Sequence, residues 1–129
     1  DPLLEYVGYA KTEQRKELMK NAMGFICPSM YAEPFCGTQV EAMLSGTPVI
    51  STDWGAFTEI NVHGKTGYRC RTFDDFMQAA KKCMNKEIDY KECREWAEQY
   101  SLENVAEMYE KYFKDVHNVY AAGGWYELS

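Results

Sequence analysis

Apolar positions fall into short continuous runs in the first seventy residues and into helical spacings after them. YVGY (6–9), a short apolar run broken by a glycine, reads as a first strand. In TEQRKELMKNAMG, Leu18, Met19, Ala22 and Met23 share a helical face, with Thr12 placed to cap the start and Gly24 the end. GFICP (24–28) and TPVIS (47–51) are apolar without alternation, as strands buried on both faces are. Between them TQVEAMLSG predicts a short helix closed by Gly46. TDWGAFTEI predicts a turn and about two helical turns, and VHGKTG a glycine-punctuated turn before a strand at YRC (68–70). Thr72 and Asp75 form a capping-box pattern for a helix through Met84. A further helix spans Tyr90 to Gln99. Ser101 starts a longer one with Leu102, Val105, Tyr109, Tyr112, Val116 and Val119 on a stripe suited to a core or an interface.

Short apolar strands alternating with helices predict an α/β fold with a parallel, Rossmann-like sheet and right-handed crossovers, followed by extra C-terminal helices. At 129 residues, with 46% hydrophobic and 15% aromatic residues, the chain is expected to be one packed domain, 1–129. The net charge of −6 and the lack of a long basic stretch argue against nucleic acid as a partner. Cys27, Cys36, Cys70, Cys83 and Cys93 are odd in number and form no CxxC pair, and His63 and His117 stand far apart in sequence. That pattern predicts reduced thiols, no metal ligand set and a cytoplasmic protein. No apolar run approaches the roughly 18–20 residues of a membrane span, and no signal peptide is visible.

The most informative stretch is EPFCGTQVE, where Glu33 and Glu41 bracket a turn-prone loop. Thr38 and Glu41 fit the S/T-x-x-E capping pattern, which accounts for Glu41 without any function. It leaves Glu33 and the strand feeding this loop unexplained. In open parallel sheets, ligands bind beyond the carboxyl ends of strands, where a helix N-terminus offers N–H groups to phosphate. Cys36, Gly37 and Thr38 would present those groups. The carboxylates, repelled by phosphate, are better suited to sugar hydroxyls. A phosphorylated sugar or a nucleotide fits this arrangement.

The string EPFCGTQVEAMLSGTPVISTDWGAFTEINVHGKTGY resembles the donor-binding segment of retaining GT-B glycosyltransferases of family 4, the glycosyl transferases group 1 class. E-x7-E, G-T-P-V-I, the aspartate turn, E-I-V (here E-I-N-V) and G-x-T-G occur in order across Glu33 to Tyr68, and looser likeness covers most of the chain. The resemblance implies a GT-B C-terminal domain, present in part, that binds a UDP- or GDP-linked sugar without a cofactor or metal. It implies that Glu33, the catalytic candidate, contacts hydroxyls of the transferred sugar. The backbone around Phe35, Cys36, Gly37 and Thr38 would reach sugar and diphosphate, Glu41 the ribose, and Gly8 with Tyr9 the nucleobase. The family commonly has glycine where Cys36 stands, so a side chain there narrows the pocket or requires a special backbone conformation.

By the same resemblance, the acceptor belongs to a separate N-terminal domain. The diphosphate-binding arginine and lysine, and two strands of the sheet, precede the part matched here. Such a chain would be inactive alone, with an exposed sheet edge open to a second copy. Asp53, Trp54, Gly55 and Glu59 read first as turn and helix-start residues, and His63 as part of a structural turn. Cys36 reads as an incidental small residue ahead of a redox sensor or nucleophile. The rival functions are a non-catalytic α/β module that keeps the glutamates as caps, and a glycoside hydrolase. The latter needs a controlled carboxyl separation of about 5–9.5 Å that two residues bracketing a phosphate-type turn fit poorly.

Overall fold

The computed structural model describes residues 2–124, which fall into two compact units, one through Ala97 and one from Glu98. In the first, α1 (Thr12–Asn21), β1 (Phe25–Cys27), α2 (Gly37–Leu44), β2 (Val49–Thr52), α3 (Phe57–Ile60), β3 (Gly67–Cys70), α4 (Phe73–Met84) and α5 (Tyr90–Ala97) follow in order. The strands form one parallel sheet in the order β1-β2-β3, with Phe25 opposite Val49 and Val49 opposite Gly67. The α/β fold class and the parallel sheet are as expected from the alternation of runs.

The central strand shows why TPVIS lacks alternation, whereas β1 is not buried on both faces as GFICP predicted: Ile26 is exposed, and Phe25 and Cys27 are only half-buried. All four residues of β2 are buried, so an apolar or hydrogen-bonded side chain is needed on both faces. Val49 and Ile50 pack there with Met43 of α2 and Phe57 of α3 in the core, each side chain contributing about 1.5–3 kcal/mol on burial. Two of the polar core residues, Asn61 and Thr47, are hydrogen-bonded within the core. Asn61 donates through Nδ2 to the Val49 carbonyl (3.1 Å) and to Ser51 Oγ (2.9 Å), and its Oδ1 accepts from Thr66 Oγ1 (3.1 Å). Thr47 Oγ1 donates to the Met19 carbonyl, tying the end of α1 to the start of β2. Gly46, at φ +80°, ends α2 as predicted, its N–H reaching the Met43 carbonyl (2.8 Å).

Several local readings change. YVGY forms no strand: a strand needs a hydrogen-bonding neighbour, and this segment has none among the described residues, leaving Tyr6 and Tyr9 at 94% and 88% exposure. Thr12 is the first residue of α1 rather than its cap. Lys11 takes that position without a side-chain bond, and the helix ends at Ala22, ahead of Gly24. The helix from Tyr90 stops at Ala97, and Glu98–Tyr100 form a single 3₁₀ turn that begins the second unit. That unit continues as α6 (Leu102–Ala121), capped by Ser101 as expected. None of its residues is buried, so the stripe is not a core stripe: Tyr109 and Tyr112 are more than half exposed, and Val105, Val116 and Val119 are only partly covered.

Thr72 and Asp75 do form the reciprocal capping box of α4. The amides of Arg71 and Thr72 donate to Asp75 Oδ2 (3.0 and 2.9 Å) and hold this carboxyl below its usual range. A depressed folded pKa stabilises the fold above the ordinary carboxylate value of about 3.9 and ceases to do so as pH falls through the folded value. Asp75→Asn is therefore expected to flatten the acid limb of stability, read as melting temperature against pH between about 6 and 2. Gly67→Ala should break the β2–β3 pairing, because a Cβ would stand 1.8 Å from the Val49 carbonyl oxygen. The expected loss is about 3 kcal/mol or more in urea unfolding.

Candidate functional site

The carboxyl ends of β1 and β2 lie side by side, and the loops leaving them, 28–36 and 53–56, close on each other. Two bonds join them, and a third ties the first loop to the end of β2. Thr52 Oγ1 donates to the Ser29 carbonyl (2.9 Å), Trp54 Nε1 to the Tyr31 carbonyl (3.0 Å), and the Ala56 amide to the Glu33 carbonyl (2.8 Å). Gly55 makes this approach sterically feasible. Its φ is +58°, and a Cβ there would meet the Glu33 nitrogen at 2.7 Å and its oxygen at 2.8 Å. The sequence places both loops at one sheet edge, and the structure shows that the second fixes the backbone of the first.

Glu33 is further oriented by Ser29, whose Oγ donates to Glu33 Oε1 (2.6 Å). Hydrogen bonding to Glu33 raises the Tyr31 phenol above its ordinary pKa. Phe35 is partly exposed, its carbonyl accepting from Gln39 Nε2 (2.6 Å). The helix then begins two residues earlier than the capping pattern predicts. Gly37 is the first residue of α2, and Cys36, at φ 59° and ψ 70°, is the N-cap, with no side-chain cap bond. Gln39 N–H bonds the Cys36 carbonyl (3.0 Å), while the amides of Gly37 and Thr38 open the first turn, where N–H groups lack intrahelical acceptors.

Neither Thr38 nor Glu41 forms the expected capping box. Thr38 Oγ1 lies 3.4 Å from Cys36 Sγ. Glu41, one turn into α2, is taken by Arg15 of α1, whose Nε and second guanidinium nitrogen donate to its two oxygens at 2.5 and 3.1 Å. A two-point charge-assisted pair outcompetes a single backbone N–H. The Glu41 side chain keeps 45% exposure, and its carboxylate retains lone pairs for a further donor. Beside it opens a cavity of about 460 Å³, bordered by Arg15, Lys16, Met19, Lys20, Leu44 and Arg94. Its size suits a small-molecule site. Arg15 was missed from the sequence because its partner lies across two helices; the basic cluster Arg15, Lys16 and Lys20 on one predicted helix was the signal available.

Asp53 and His63 make structural contacts. Asp53 pairs with Arg69 (3.3 Å) and Arg71 (2.8 Å). His63 Nδ1 accepts from the Arg69 amide (3.1 Å), and its ring meets Tyr68 edge-on. Glu59 is exposed in the first turn of α3. Gly8, at φ +65°, and Tyr9 lie in the exposed segment before α1. Cys93 is buried and pushed up to about 12, Cys70 to about 11 and Cys83 upward, all chiefly by burial, so these three are neutral packing thiols. Cys27 and Cys36, by contrast, are only half-buried at the site, with sulfurs 3.6 Å apart.

The sequence model of glycosyl transferases group 1 matches residues 4–113. Among curated proteins, spore coat protein SA of Bacillus subtilis is 28% identical over 82% of this chain and 31% of its own length. An alpha-1,3/1,6-mannosyltransferase of Dictyostelium discoideum is 39% identical over 61% of this chain and 19% of its own. An alpha-maltose-1-phosphate synthase of Mycolicibacterium smegmatis is 38% identical over 43% of this chain and 14% of its own. The chain thus spans less than a third of the length of these relatives. No described helix is long and apolar enough to cross a membrane.

The packing of the two loops makes Gly55→Ala a direct test of the site's construction. The left-handed conformation alone costs about 1–2 kcal/mol for an alanine, before the overlap with Glu33 is counted. Amide exchange at 31–37 should accelerate well beyond that of β2, whereas a site built from independent loops would leave exchange at 31–37 unchanged.

Proposed function

Because the chain belongs to the glycosyl transferases group 1 family, we propose that it is the donor-binding part of a retaining GT-B glycosyltransferase of family 4. The enzyme would move a hexose from a UDP- or GDP-linked sugar to an acceptor hydroxyl, in the synthesis of a glycan or glycoconjugate. The observation that carries this reading is the placing of Glu33 and the first turn of α2 at one sheet edge, with Glu41 a turn further along and a basic-rimmed cavity beside it. In this reading Glu33 accepts from hydroxyls of the transferred sugar. The backbone from Phe35 to Thr38 receives sugar and diphosphate, Glu41 the ribose, and the backbone of Gly8 and Tyr9 the base.

The chemistry is a front-face displacement. The acceptor oxygen attacks the anomeric carbon from the side on which the diphosphate leaves, the bond from that carbon to the phosphate oxygen breaks, and the acceptor proton passes to the departing phosphate. The protein then acts by positioning and by stabilising negative charge on the diphosphate. The α2 N-terminus supplies part of that stabilisation, and Arg15, Lys16 and Lys20 surround the nucleotide end. The rest comes from an arginine, a lysine and an acceptor domain elsewhere in a longer protein, so the segment alone is expected to bind donor weakly and turn over little. The open edge of β1, which pairs with β2 alone among the described residues, is where further strands or a second copy would add. The rival module reading, in which the glutamates serve as caps, loses its motive, because Glu41 is held by Arg15 and caps nothing.

Titration with UDP, GDP and their glucose and mannose derivatives, followed by amide spectra, tests the reading. Saturable shifts are expected around 35–41 for one nucleotide series. Glu41→Ala should weaken binding roughly tenfold to a hundredfold, as loss of a charged hydrogen-bond partner does. Glu33→Gln should weaken binding of the nucleotide sugar and spare that of the nucleotide. Well-dispersed spectra with no shift for any nucleotide would refute a donor site on this segment.

A further inference from the structure

Cys27, at the end of β1, and Cys36, at the start of α2, converge with Glu33 on one side of the loop. The two sulfurs stand 3.6 Å apart, and one ligand atom from each of the three residues lies within 4.8 Å of the others. Tetrahedral zinc, with Zn–S of about 2.3 Å, requires thiolate sulfurs about 3.8 Å apart, so the pair needs almost no movement to chelate. Glu33 comes with the outer support of a metal ligand: Ser29 Oγ bonds its Oε1 at 2.6 Å, and the Ala56 amide and Gly55 fix its backbone. Cys36 also occupies a left-handed conformation that glycine would adopt freely. The strained backbone is what turns its sulfur to within reach of Cys27 and Thr38.

We propose that Cys27, Cys36 and Glu33 form a binding site for a thiophilic divalent cation, Zn²⁺ being the ion suited to two thiolates and a carboxylate, with the fourth position open to water. Chelation forms two Zn–S bonds and one Zn–O bond, displaces water from the ion and releases the two thiol protons to solvent, with no change of oxidation state. Three ligand charges against two leave the occupied site at −1. Burial pushes the Cys27 thiol up to about 11, so the ion must displace its proton on binding. The site also takes the side chain that the donor reading assigns to the sugar. If that reading holds, Zn²⁺ and the nucleotide sugar exclude each other, and the cation is an inhibitor of donor binding.

The test is titration of the reduced, metal-free chain with Co²⁺ and then Zn²⁺. One equivalent of Co²⁺ should give thiolate-to-cobalt charge transfer and the strong visible bands of a four-coordinate ion, both abolished by one equivalent of Zn²⁺. Cys36→Gly, which relaxes the backbone and so keeps the fold by circular dichroism, should lower affinity at least about a hundredfold, a ligand mattering more than the outer-shell partners whose loss costs 10–100-fold. Cys27→Ser should do the same, while a Cys70→Ser, Cys83→Ser double variant should leave binding intact. No charge transfer in the folded wild type, or full binding retained in Cys36→Gly, overturns the site. Metal binding with no effect on nucleotide-sugar binding upholds the site and overturns only its overlap with the donor. Binding of neither ligand overturns both.

Discussion

The approach of Gly55 to the backbone of Glu33 is the contact on which the rest of the site depends. Two loops leaving neighbouring parallel strands would ordinarily be separate, each free to move on its own hinge. Here a missing Cβ lets one lie against the other closely enough for the Ala56 amide to bond the Glu33 carbonyl. The second strand therefore carries the first strand's loop. Because β2 is buried along its whole length and bonds Asn61 through its own carbonyl and hydroxyl groups, the position of Glu33 is tied to a fully buried strand of the core.

Electrostatics at the second glutamate work differently. The Arg15–Glu41 pair is only part-buried, and such pairs add little to stability. Its value lies in geometry. The guanidinium plane fixes the carboxylate at the rim of the cavity and leaves a positive border beside an acceptor that still has capacity. A site for a molecule with both hydroxyls and phosphates needs both signs close together without mutual cancellation, and a two-point pair at a half-open rim meets that need.

Much of this was legible in the sequence, and what was missed has physical causes. Unalternating apolar runs gave β1 and β2, Gly46 gave the end of α2, and the Thr72–Asp75 pair gave the start of α4, because each signal depends on neighbours in sequence. YVGY misled because strand propensity says nothing about whether a partner strand is present. The capping reading of Thr38 and Glu41 failed because Cys36 accepts a left-handed conformation and Arg15 arrives from another helix. The second event is not local. The closeness of Cys27 and Cys36 was hidden for the same reason: their spacing matches no short metal motif, and only the turn at Glu33 brings them together. For α6, helical spacing was read correctly, but periodicity alone does not say what covers a face.

The order of the strands has a consequence for how the chain is made. Each strand pairs with the next one in sequence, Phe25 with Val49 and Val49 with Gly67, so every loop closed to build the sheet is short. A nascent chain leaving the ribosome can add β2 to β1 and β3 to β2 as each appears, without waiting for a distant segment. The Glu33 loop is sealed in the same step, since Gly55 emerges between β2 and β3. Vectorial synthesis thus presents this sheet edge outside the ribosome ahead of the last three helices of the described residues.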